Sequence, residues 1–459
     1  MNYVHSLPTC QVLFTLSSLE DDAGEFMHDL APSSLLKQVR TQHVKGSKGI
    51  TPLFPFSRHL GAQFTAIPVY PDGSQNLTYA NSDMHHSPPP GLITHAEQLH
   101  DLIDTLQTTD AIGLDTEFVR ERTYYPCFCL VQISSPNRID CVDPLALETV
   151  EPLQAILSHP KITKIFHSAR QDLEVLLHQF GALPENLGDT QLAAAFVGHA
   201  DQIGYAKLVQ EICHVDLPKD ATRTDWSRRP LSADQFRYAA DDVAFLLGIH
   251  DHLTQQLEQR GRLNWYQEDC HDLLNPGFYS VQPENAWKKI AGTQPLTESV
   301  RQRLQSLACW RETSAQQFNV PRAWIIKDEL LLQIALANVR NPGLVMPVRG
   351  LKTQSQQRLV ESFQDLVSNL PPIDQPSDPH LLLDPRRDPE RKKLMQSLSE
   401  MVRNTAAEID IHASLLASKR DLDALLDRPD ECRVLRGWRL PIIGQPLQAA
   451  IRGMSPGDA

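Results

Sequence analysis

The stretch "AIGLDTEFVR", residues 111–120, decides the fold of the most regular part of this chain. Its first four residues are apolar and have the composition of a buried strand. The strand ends in Asp115 and Glu117, and residues two apart in a strand point to the same face of a sheet. Two carboxylates held together at the edge of a core are costly to ionise, so the pair needs a partner.

A divalent cation is one such partner, because carboxylate oxygens are the hard ligands that Mg²⁺ and Mn²⁺ prefer. Salt bridges to Arg120 or Arg122, or the start of a solvated turn, explain the same two acids more simply. The pair by itself leaves all three interpretations open.

The composition is that of a globular protein with several domains. The chain has 459 residues, of which 41% are hydrophobic and 22% charged, and this length predicts two to four domains. The net charge of −13 argues against a surface coated for nonspecific nucleic-acid binding. Local basic surfaces remain compatible with it.

Membrane and secretory signals are not found in the sequence. No stretch approaches the roughly 20 apolar residues of a membrane helix, and the first residues lack the basic region and apolar core of a secretory signal. The eight cysteines form neither a CxxC pair nor a set with zinc spacing. We therefore expect reduced thiols and a cytoplasmic protein.

Hydrophobic periodicity predicts an α/β domain over residues 91–265. We expect a mixed sheet flanked by helices, because closely spaced strands come first and are followed by alternating strands and helices. Ser232, with Gln235 three residues on, is typical of a helix N-cap. The predicted strands are 111–118, 127–134, 138–144 and 161–167, and the predicted helices are 95–107, 150–159, 170–180, 188–198, 204–213 and 232–259.

The two ends of the chain differ from this domain. Residues 1–90 show no clear periodicity and end in a proline run typical of a linker. We expect an N-terminal extension, or an upstream start with the working protein beginning near Met84. Helical patterns predict two small all-α domains, over residues 297–372 and 386–450.

Further acids lie in the predicted α/β domain. Asp172 falls in the first turn of a helix that follows a strand, where an acid also complements the helix dipole. Tyr238 and Asp242 are four apart and share a helix face, which is equally compatible with a capped surface face. Each of these residues therefore has a structural explanation when it is considered alone.

The order of these residues is nevertheless distinctive: D-x-E on a strand, D on a helix, and Y-x-x-x-D on a later helix. It resembles the DEDD exonucleases of the tyrosine subgroup. The stretches "GLDTEFVRERTYYPCFCLVQIS", "KIFHSARQDLEVL", "GDTQLAAAFVG" and "DWSRRPLSADQFRYAADDVAFLL" are similar to the ribonuclease D family over about residues 91–265. The resemblance implies an RNase H-like sheet and hydrolysis of nucleic acid from the 3′ end.

The resemblance also implies a two-metal site, with Mg²⁺ or Mn²⁺, suited to phosphodiester hydrolysis. Asp115 would bridge both metals, and Glu117 and Asp242 would hold the one that activates the water. Asp172 would support the metal on the leaving-group side. Tyr238 would orient the attacking water, because a phenol with a pKa near 10 is a poor base at neutral pH.

Several other residues are candidates for contact with RNA. Gln132, on the second strand, could contact the site, and for His167 a structural or substrate-contacting role is favoured over metal ligation. In "DWSRRPLS", Trp226, Arg228 and Arg229 could stack a base and pair with phosphates. They could equally well form a structural loop.

The helical blocks resemble HRDC domains, which are small helical nucleic-acid-binding modules. "RETSAQQFNVPRAWIIKDELLLQIA" carries the first match, over about residues 297–372, and "TAAEIDIHASLLASKRDLDALL" the second, HRDC-like one. The candidate phosphate contacts are Arg322, Lys327, Arg349, Lys352 and the basic run "RRDPERKK" at 386–393. Any one of these cations is equally explained as an ordinary solvated charge.

We therefore expect a monomeric, metal-dependent 3′→5′ exoribonuclease that releases 5′-mononucleotides and trims structured RNA such as precursor tRNA. A DNA 3′→5′ exonuclease is the alternative enzyme, since the metal site does not discriminate between sugars. A non-catalytic RNA-binding protein is a third hypothesis, and the complete set of acids argues against it.

Overall fold

The computed structural model describes residues 91–218, 224–290, 296–337, 348–373 and 389–454. The predicted extension at 1–90, with the start near Met84, lies outside the described residues, and so do the first three residues of the basic run. No helix in these ranges is long and apolar enough to cross a membrane.

One mixed sheet is formed by six strands of the described residues. These are β1 (Gly91–Ile93), β2 (Ala111–Val119), β3 (Cys127–Ser135), β4 (Arg138–Val142), β5 (Thr163–Phe166) and β6 (Leu187–Asp189). Their order is β1-β4-β3-β2-β5-β6. Strands β2, β3 and β4 form an antiparallel meander, whereas the pairs β1–β4, β2–β5 and β5–β6 are parallel. Strand β2, which contains Asp115 and Glu117, thus lies in the interior of the sheet, between β3 and β5.

Helices cover both faces of this sheet. They are α1 (Ala96–Leu106), α2 (Gln154–Leu157), α3 (Arg170–Phe180), α4 (Thr190–Phe196), α5 (Tyr205–Cys213), α6 (Ala233–Ala244), α7 (Leu246–Gln259) and α8 (Leu263–Leu273). Leu102 of α1 and Leu173 of α3 pack in the core on one face. Val243 of α6 and Leu246 of α7 pack on the other face. The predicted mixed sheet flanked by helices is confirmed.

Gly113 in β2 allows α7 to lie directly on the sheet. A Cβ at this position would lie 2.3 Å from the Ser134 Oγ and 3.0 Å from the Leu246 Cβ. Any larger residue would push the helix outward, which explains the glycine inside a central strand.

The predicted helix over residues 232–259 is in fact two helices. The capping box at its start is confirmed, since the Ser232 and Gln235 side chains each accept from the other's backbone N–H. The break falls at Phe245, whose N–H donates to the Tyr205 hydroxyl at 3.1 Å. A contact from α5 therefore divides α6 from α7. The sequence around Phe245 contains no pattern that predicts this break.

Two short edge strands were missed. Residues 187–189 form β6 and not the start of the predicted helix at 188–198, which begins only at Thr190. Strand β1 lies at the opposite edge. Strands of three residues carry too little alternation to be distinguished from loop by sequence.

The remainder of the described chain is helical, as predicted. The first helical block contains α9 (Glu298–Gln317), α10 (Arg322–Ile325), α11 (Asp328–Leu336) and α12 (Thr353–Ser368). The second helical block contains α13 (Pro389–Glu408), α14 (Ala413–Leu416), α15 (Lys419–Asp427) and α16 (Gln445–Met454).

The first helical block holds the loop between β2 and β3. The backbone N–H groups of Tyr124 and Tyr125 both donate to the Asn319 Oδ1, at 3.1 and 3.0 Å. The Tyr124 hydroxyl donates to the fully buried Glu312. Arg322, a predicted phosphate contact, lies over the Tyr124 ring instead, 5.8 Å from its centroid.

The second helical block docks on α8. Arg439, 2% exposed, makes a two-point ion pair with Asp269 of α8. Trp438 stacks on Trp265 with ring centroids 4.7 Å apart, and its Nε1 donates to Asp269 at 3.0 Å. The interface is therefore built around a buried charge pair enclosed by aromatic rings.

Candidate active site

Three carboxylates converge beside the second half of β2, which continues past them to Val119. Asp115 and Glu117 lie on one face of β2, and Asp242 is presented by α6, which packs on that same face. One oxygen from each lies within 4.8 Å of the others. The spacing of the D-x-E motif and the tertiary packing of α6 together create the cluster.

The cluster is electrostatically unfavourable in the absence of a cation. Burial, followed by repulsion from Asp172, Asp242 and Glu117, raises the pKa of Asp115 well above its usual range. Burial and the neighbouring aspartates raise the pKa of Glu117 to about 8. Burial is also the main cause that raises the pKa of Asp242 to about 7.

The salt-bridge explanation of the D-x-E pair does not match the structure. Arg120 lies 2.8 Å from Glu174, on α3. Within the described part of the chain, no ion pair includes Asp115, Glu117 or Asp242. Half-buried carboxylates that repel one another and have no basic partner fit the hard-ligand set of a divalent cation.

Asp172 approaches the cluster from the other face of the sheet. Its Oδ1 accepts from both the Thr116 N–H at 3.1 Å and the Thr116 hydroxyl at 2.6 Å. Burial raises the pKa of Asp172 to about 7, although these hydrogen bonds oppose the rise. Thr116 was not predicted as a site residue. Its position between Asp115 and Glu117 places its side chain on the opposite face of the strand, and this alternation could have indicated a contact with Asp172.

Asp189 holds the turn that places Asp172. Its carboxylate accepts from the N–H groups of Ser168 and Ala169, at 3.1 and 2.9 Å, and from two N–H groups at the start of α4. Ser168 has a positive φ of 64°, an uncommon conformation for a residue other than glycine. Sequence reasoning missed Asp189, because "GDT" alone does not show which turn it caps.

Tyr238 lies one helical turn before Asp242, as its spacing predicts. Its hydroxyl interacts with the Asp242 carboxylate, which lowers the pKa of that acid against the stronger effect of burial. Burial and the surrounding acids raise the pKa of Tyr238 above its usual value. The phenol therefore stays protonated at neutral pH, with its O–H directed to Asp242 in this structure.

His167 is placed as a structural residue. Its Nδ1 lies 2.9 Å from the Thr190 hydroxyl, and its Nε2 lies 2.9 Å from the Ile203 carbonyl oxygen. Burial lowers the pKa of the ring. Both nitrogens are occupied, which argues against the predicted contact with RNA.

Two side chains of the loop "DWSRRPLS", Trp226 and Arg229, point into the protein. All five N–H groups of the Arg229 guanidinium donate, two to Asp143 and three to the carbonyls of Cys129, Trp226 and Arg228. Trp226 is only 5% exposed. Neither side chain is therefore free for the predicted stacking or phosphate contact, whereas the Arg228 side chain is 83% exposed.

Gln132 lies beside Asp115 in the sheet but not at the surface. It is the cross-strand partner of Asp115, and its side chain is fully buried. A side chain with no exposed surface cannot touch RNA directly. The predicted RNA contact is therefore not supported at this position.

Without metal, the folded protein is expected to lose stability as the pH rises from about 4 to about 8. The acids titrate near pH 4 in the unfolded chain, but Glu117, Asp172 and Asp242 have folded-state pKa values of about 8, 7 and 7. Between these limits the folded state binds more protons, so deprotonation favours unfolding.

We expect a loss of at least about 4 kcal/mol over this range, the equivalent of a shift of about three pKa units at a single group, measured by urea unfolding with a chelator present. Saturating Mg²⁺ should restore most of it, because only the folded state presents the site. Stability that stays flat from pH 5 to pH 8 in the chelator would contradict this electrostatic picture.

Comparison with known proteins places the chain in a family. A family model described as 3′-5′ exonuclease matches residues 90–258, and the HRDC domain model matches residues 300–367. Ribonuclease D of Granulibacter bethesdensis is 35% identical over 375 residues, which are 80% of this chain and 93% of that protein. Ribonuclease D of Gluconacetobacter diazotrophicus is 36% identical over 371 residues, 79% of this chain and 93% of that protein.

Comparison with solved structures leads to the same family as the sequence comparisons. The crystal structure of Escherichia coli RNase D, described as an exoribonuclease involved in structured RNA processing, has a TM-score of 0.71 and 31% sequence identity. The match covers 80% of this chain and 99% of that chain. By sequence, by domain content and by fold, this chain belongs to the ribonuclease D family of 3′→5′ exoribonucleases.

Proposed function

We propose that this exoribonuclease depends on divalent metal ions, trims the 3′ ends of structured RNA such as precursor tRNA, and releases 5′-mononucleotides. The observation that carries the metal dependence is the convergence of Asp115, Glu117 and Asp242 within 4.8 Å. Half-buried carboxylates this close together repel one another when charged, and a nearby cation stabilises their charged forms.

Asp115, Glu117, Asp172 and Asp242 would hold the ions, and Asp115 would contribute to the binding of both. When bound, two divalent cations supply a nucleophile from water at neutral pH and stabilise the charge on the leaving oxygen. Mg²⁺ or Mn²⁺ is proposed, because every ligand is a hard carboxylate oxygen. Asp172 is held in place by its two hydrogen bonds from Thr116.

Tyr238 is proposed to orient the attacking water through its hydroxyl. Its raised pKa keeps the proton on the phenol, so it can donate a hydrogen bond but cannot act as a base at neutral pH. Its neighbour Trp226, with ring centroids 6.2 Å apart, limits the movement of the ring.

Replacing Tyr238 with phenylalanine is expected to lower kcat by about 10- to 100-fold, because the water loses its orientation while the metal ligands remain. Direct Mn²⁺ binding should stay within a few-fold of wild type. Tyr205→Phe is the matched control: its hydroxyl accepts from the Phe245 N–H between α6 and α7, so its removal should lower stability more than kcat. Equal kcat in wild type and Tyr238→Phe would remove Tyr238 from the mechanism.

The RNA substrate is proposed from the relatives and from the surface. The E. coli relative is described as acting in structured RNA processing, and the HRDC match indicates a nucleic-acid-binding module. Arg228, in the loop beside Trp226, is the exposed cation that we propose to contact phosphate. Arg349 and Lys352, which precede α12, and Lys327 remain proposed contacts of the first helical block.

The wider organisation is proposed as follows. The exonuclease domain spans residues 91–265, the HRDC domain 297–372 and a second HRDC-like domain 386–450, after an extension at 1–90. We propose that the protein works as a monomer in the cytoplasm, where precursor tRNA is processed.

A single assay tests this function. The protein is incubated with 5′-labelled precursor tRNA that carries a 3′ extension, and with single-stranded DNA of the same 3′ sequence, each with Mg²⁺, Mn²⁺ or chelator. We expect stepwise shortening of the RNA with metal, release of 5′-mononucleotides, and no shortening in the chelator. Faster shortening of the DNA would overturn the RNA assignment, and shortening in the chelator would overturn the metal dependence.

A further inference from the structure

Gln132 occupies an unusual position beneath the active site. It lies on β3 between its cross-strand partners Asp115 on β2 and Cys141 on β4. Side chains alternate along a strand, so Leu130, Gln132 and Ser134 share the face of the sheet that Asp115 occupies. Gln132 therefore points into the layer between the sheet and the helices that cover this face.

The Gln132 amide is an unsatisfied polar group. Neither its Nε2 nor its Oε1 has a hydrogen-bond partner among the described residues, and the side chain is 0% exposed. Leaving such groups unbonded in a core costs roughly 1–3 kcal/mol each. Burying an apolar side chain of the same size would cost less free energy than burying this unbonded amide. We therefore infer that the amide gains a hydrogen-bond partner when the site holds its metal ions.

The neighbouring Ser134 shows how a polar side chain on this face is usually satisfied. Its hydroxyl donates to the Val243 carbonyl oxygen, at the end of α6, at 2.8 Å. Gln132 lies halfway between Ser134 and Leu130, and Leu130 packs with Ala239 of α6. The helix above this face presents Ala239 beside Leu130 and Asp242 to the acidic cluster, and in this structure neither satisfies the Gln132 amide.

Asp115, the cross-strand partner of Gln132, offers a carboxylate acceptor on the same face of the sheet. Directly opposed residues in an antiparallel pair have Cβ atoms about 4.5–5.5 Å apart, and a glutamine side chain spans that distance. The Asp115 carboxylate has more lone pairs than one metal contact uses. A small rotation of the amide, or one buried water between the two groups, completes the hydrogen bond.

We propose that Gln132 is a positioning residue whose amide donates to the Asp115 carboxylate, directly or through one buried water, and fixes its orientation toward the divalent cations. This inference rests on the proposed metal dependence. Partners of this kind orient a ligand without touching the ion, and their loss weakens metal binding by about 10- to 100-fold.

The test compares Gln132→Met with wild type and with Ser134→Ala. Methionine keeps the length of the side chain and removes the amide. Mn²⁺ binding to metal-stripped protein is measured by calorimetry or electron paramagnetic resonance, and the Tm is measured in a chelator. For Gln132→Met we expect Mn²⁺ binding weakened about 10- to 100-fold, an unchanged or higher metal-free Tm, and an unchanged KM for RNA at saturating metal.

Ser134→Ala should show the opposite pattern, because it removes a formed hydrogen bond to α6. We expect a lower metal-free Tm with Mn²⁺ affinity close to wild type. The pair of variants separates an effect on Asp115 from a general loosening of α6.

Wild-type Mn²⁺ affinity in Gln132→Met would overturn this inference and leave the proposed function intact. A large fall of the metal-free Tm in both Gln132→Met and Gln132→Leu would also overturn it, because the amide would then be structural. Failure of the wild-type protein to bind or require metal would instead overturn the proposed function itself.

Discussion

Replacing Asp115 with asparagine is expected to slow 3′-end shortening of RNA by roughly 10³-fold or more, a loss of about 4 kcal/mol of transition-state stabilisation. Asparagine keeps the size of the side chain and removes its charge. Asp115 lies within 4.8 Å of two other carboxylates and is the proposed ligand shared by both ions, so its loss affects the whole set. Single-turnover shortening of 5′-labelled RNA measures the effect.

The Asp115→Asn variant should remain folded, and this separates lost chemistry from lost structure. The pKa of Asp115 is raised well above its usual range, which means that its charged form destabilises the metal-free protein. The variant should therefore be at least as stable as wild type at pH 8 in a chelator. Asp101→Asn, at an exposed position on α1, is the control and should change neither activity nor stability.

The opposite result would be informative. If Asp115→Asn shortens RNA within tenfold of the wild-type rate and with the same dependence on metal, Asp115 is not a metal ligand. The site would then have to be assigned again from Glu117, Asp172 and Asp242.

Replacing Asp269 with alanine is expected to destabilise the docking of the second helical block by about 3–5 kcal/mol, because it leaves a charged guanidinium buried without its partner. Arg439 is 2% exposed, and Asp269 is its two-point acceptor. The Trp265–Trp438 stack lies in the same interface. Tryptophan fluorescence during urea unfolding therefore reports directly on this loss.

Two further variants define the cause. Asp410→Asn removes the charge of an exposed ion pair to Arg260 across the same interface and keeps a side chain that suits the left-handed backbone of Asp410 (φ 53°), so we expect a change below about 1 kcal/mol. The double variant Asp269→Leu with Arg439→Met removes both charges and should recover most of the stability. Equal effects of Asp269→Ala and Asp410→Asn would show that the buried pair does not dominate the interface.

Local sequence signals predicted the main elements of the fold because each carries its own pattern. The apolar run of β2, the 3.6-residue spacing in α3 and the Ser232 capping box all lie within short windows. The division of the helix at Phe245 depends on the Tyr205 hydroxyl, which is 40 residues distant in sequence. Such long-range contacts leave no trace in periodicity.

The same distinction applies to the candidate site. The acids and Tyr238 were identified by residue type, order and spacing, and the structure brings three of the four acids into one tight group. The predicted RNA contacts stay predictions, because the sequence of an arginine-rich loop does not show which of its side chains face solvent and which face the core. Arg229 faces the core, where its five donors are all used.

The sequence by itself determined the chemistry: which carboxylates are present, which of them share a strand face, and which family the pattern resembles. The tertiary structure alone decided how that chemistry is supported. Thr116 orients Asp172, Asp189 holds the turn before it, and Gln132 lies unbonded beside Asp115. Strand and helix periods specify the direction of a side chain within its own element, whereas hydrogen bonds between elements depend on packing that only the folded chain defines.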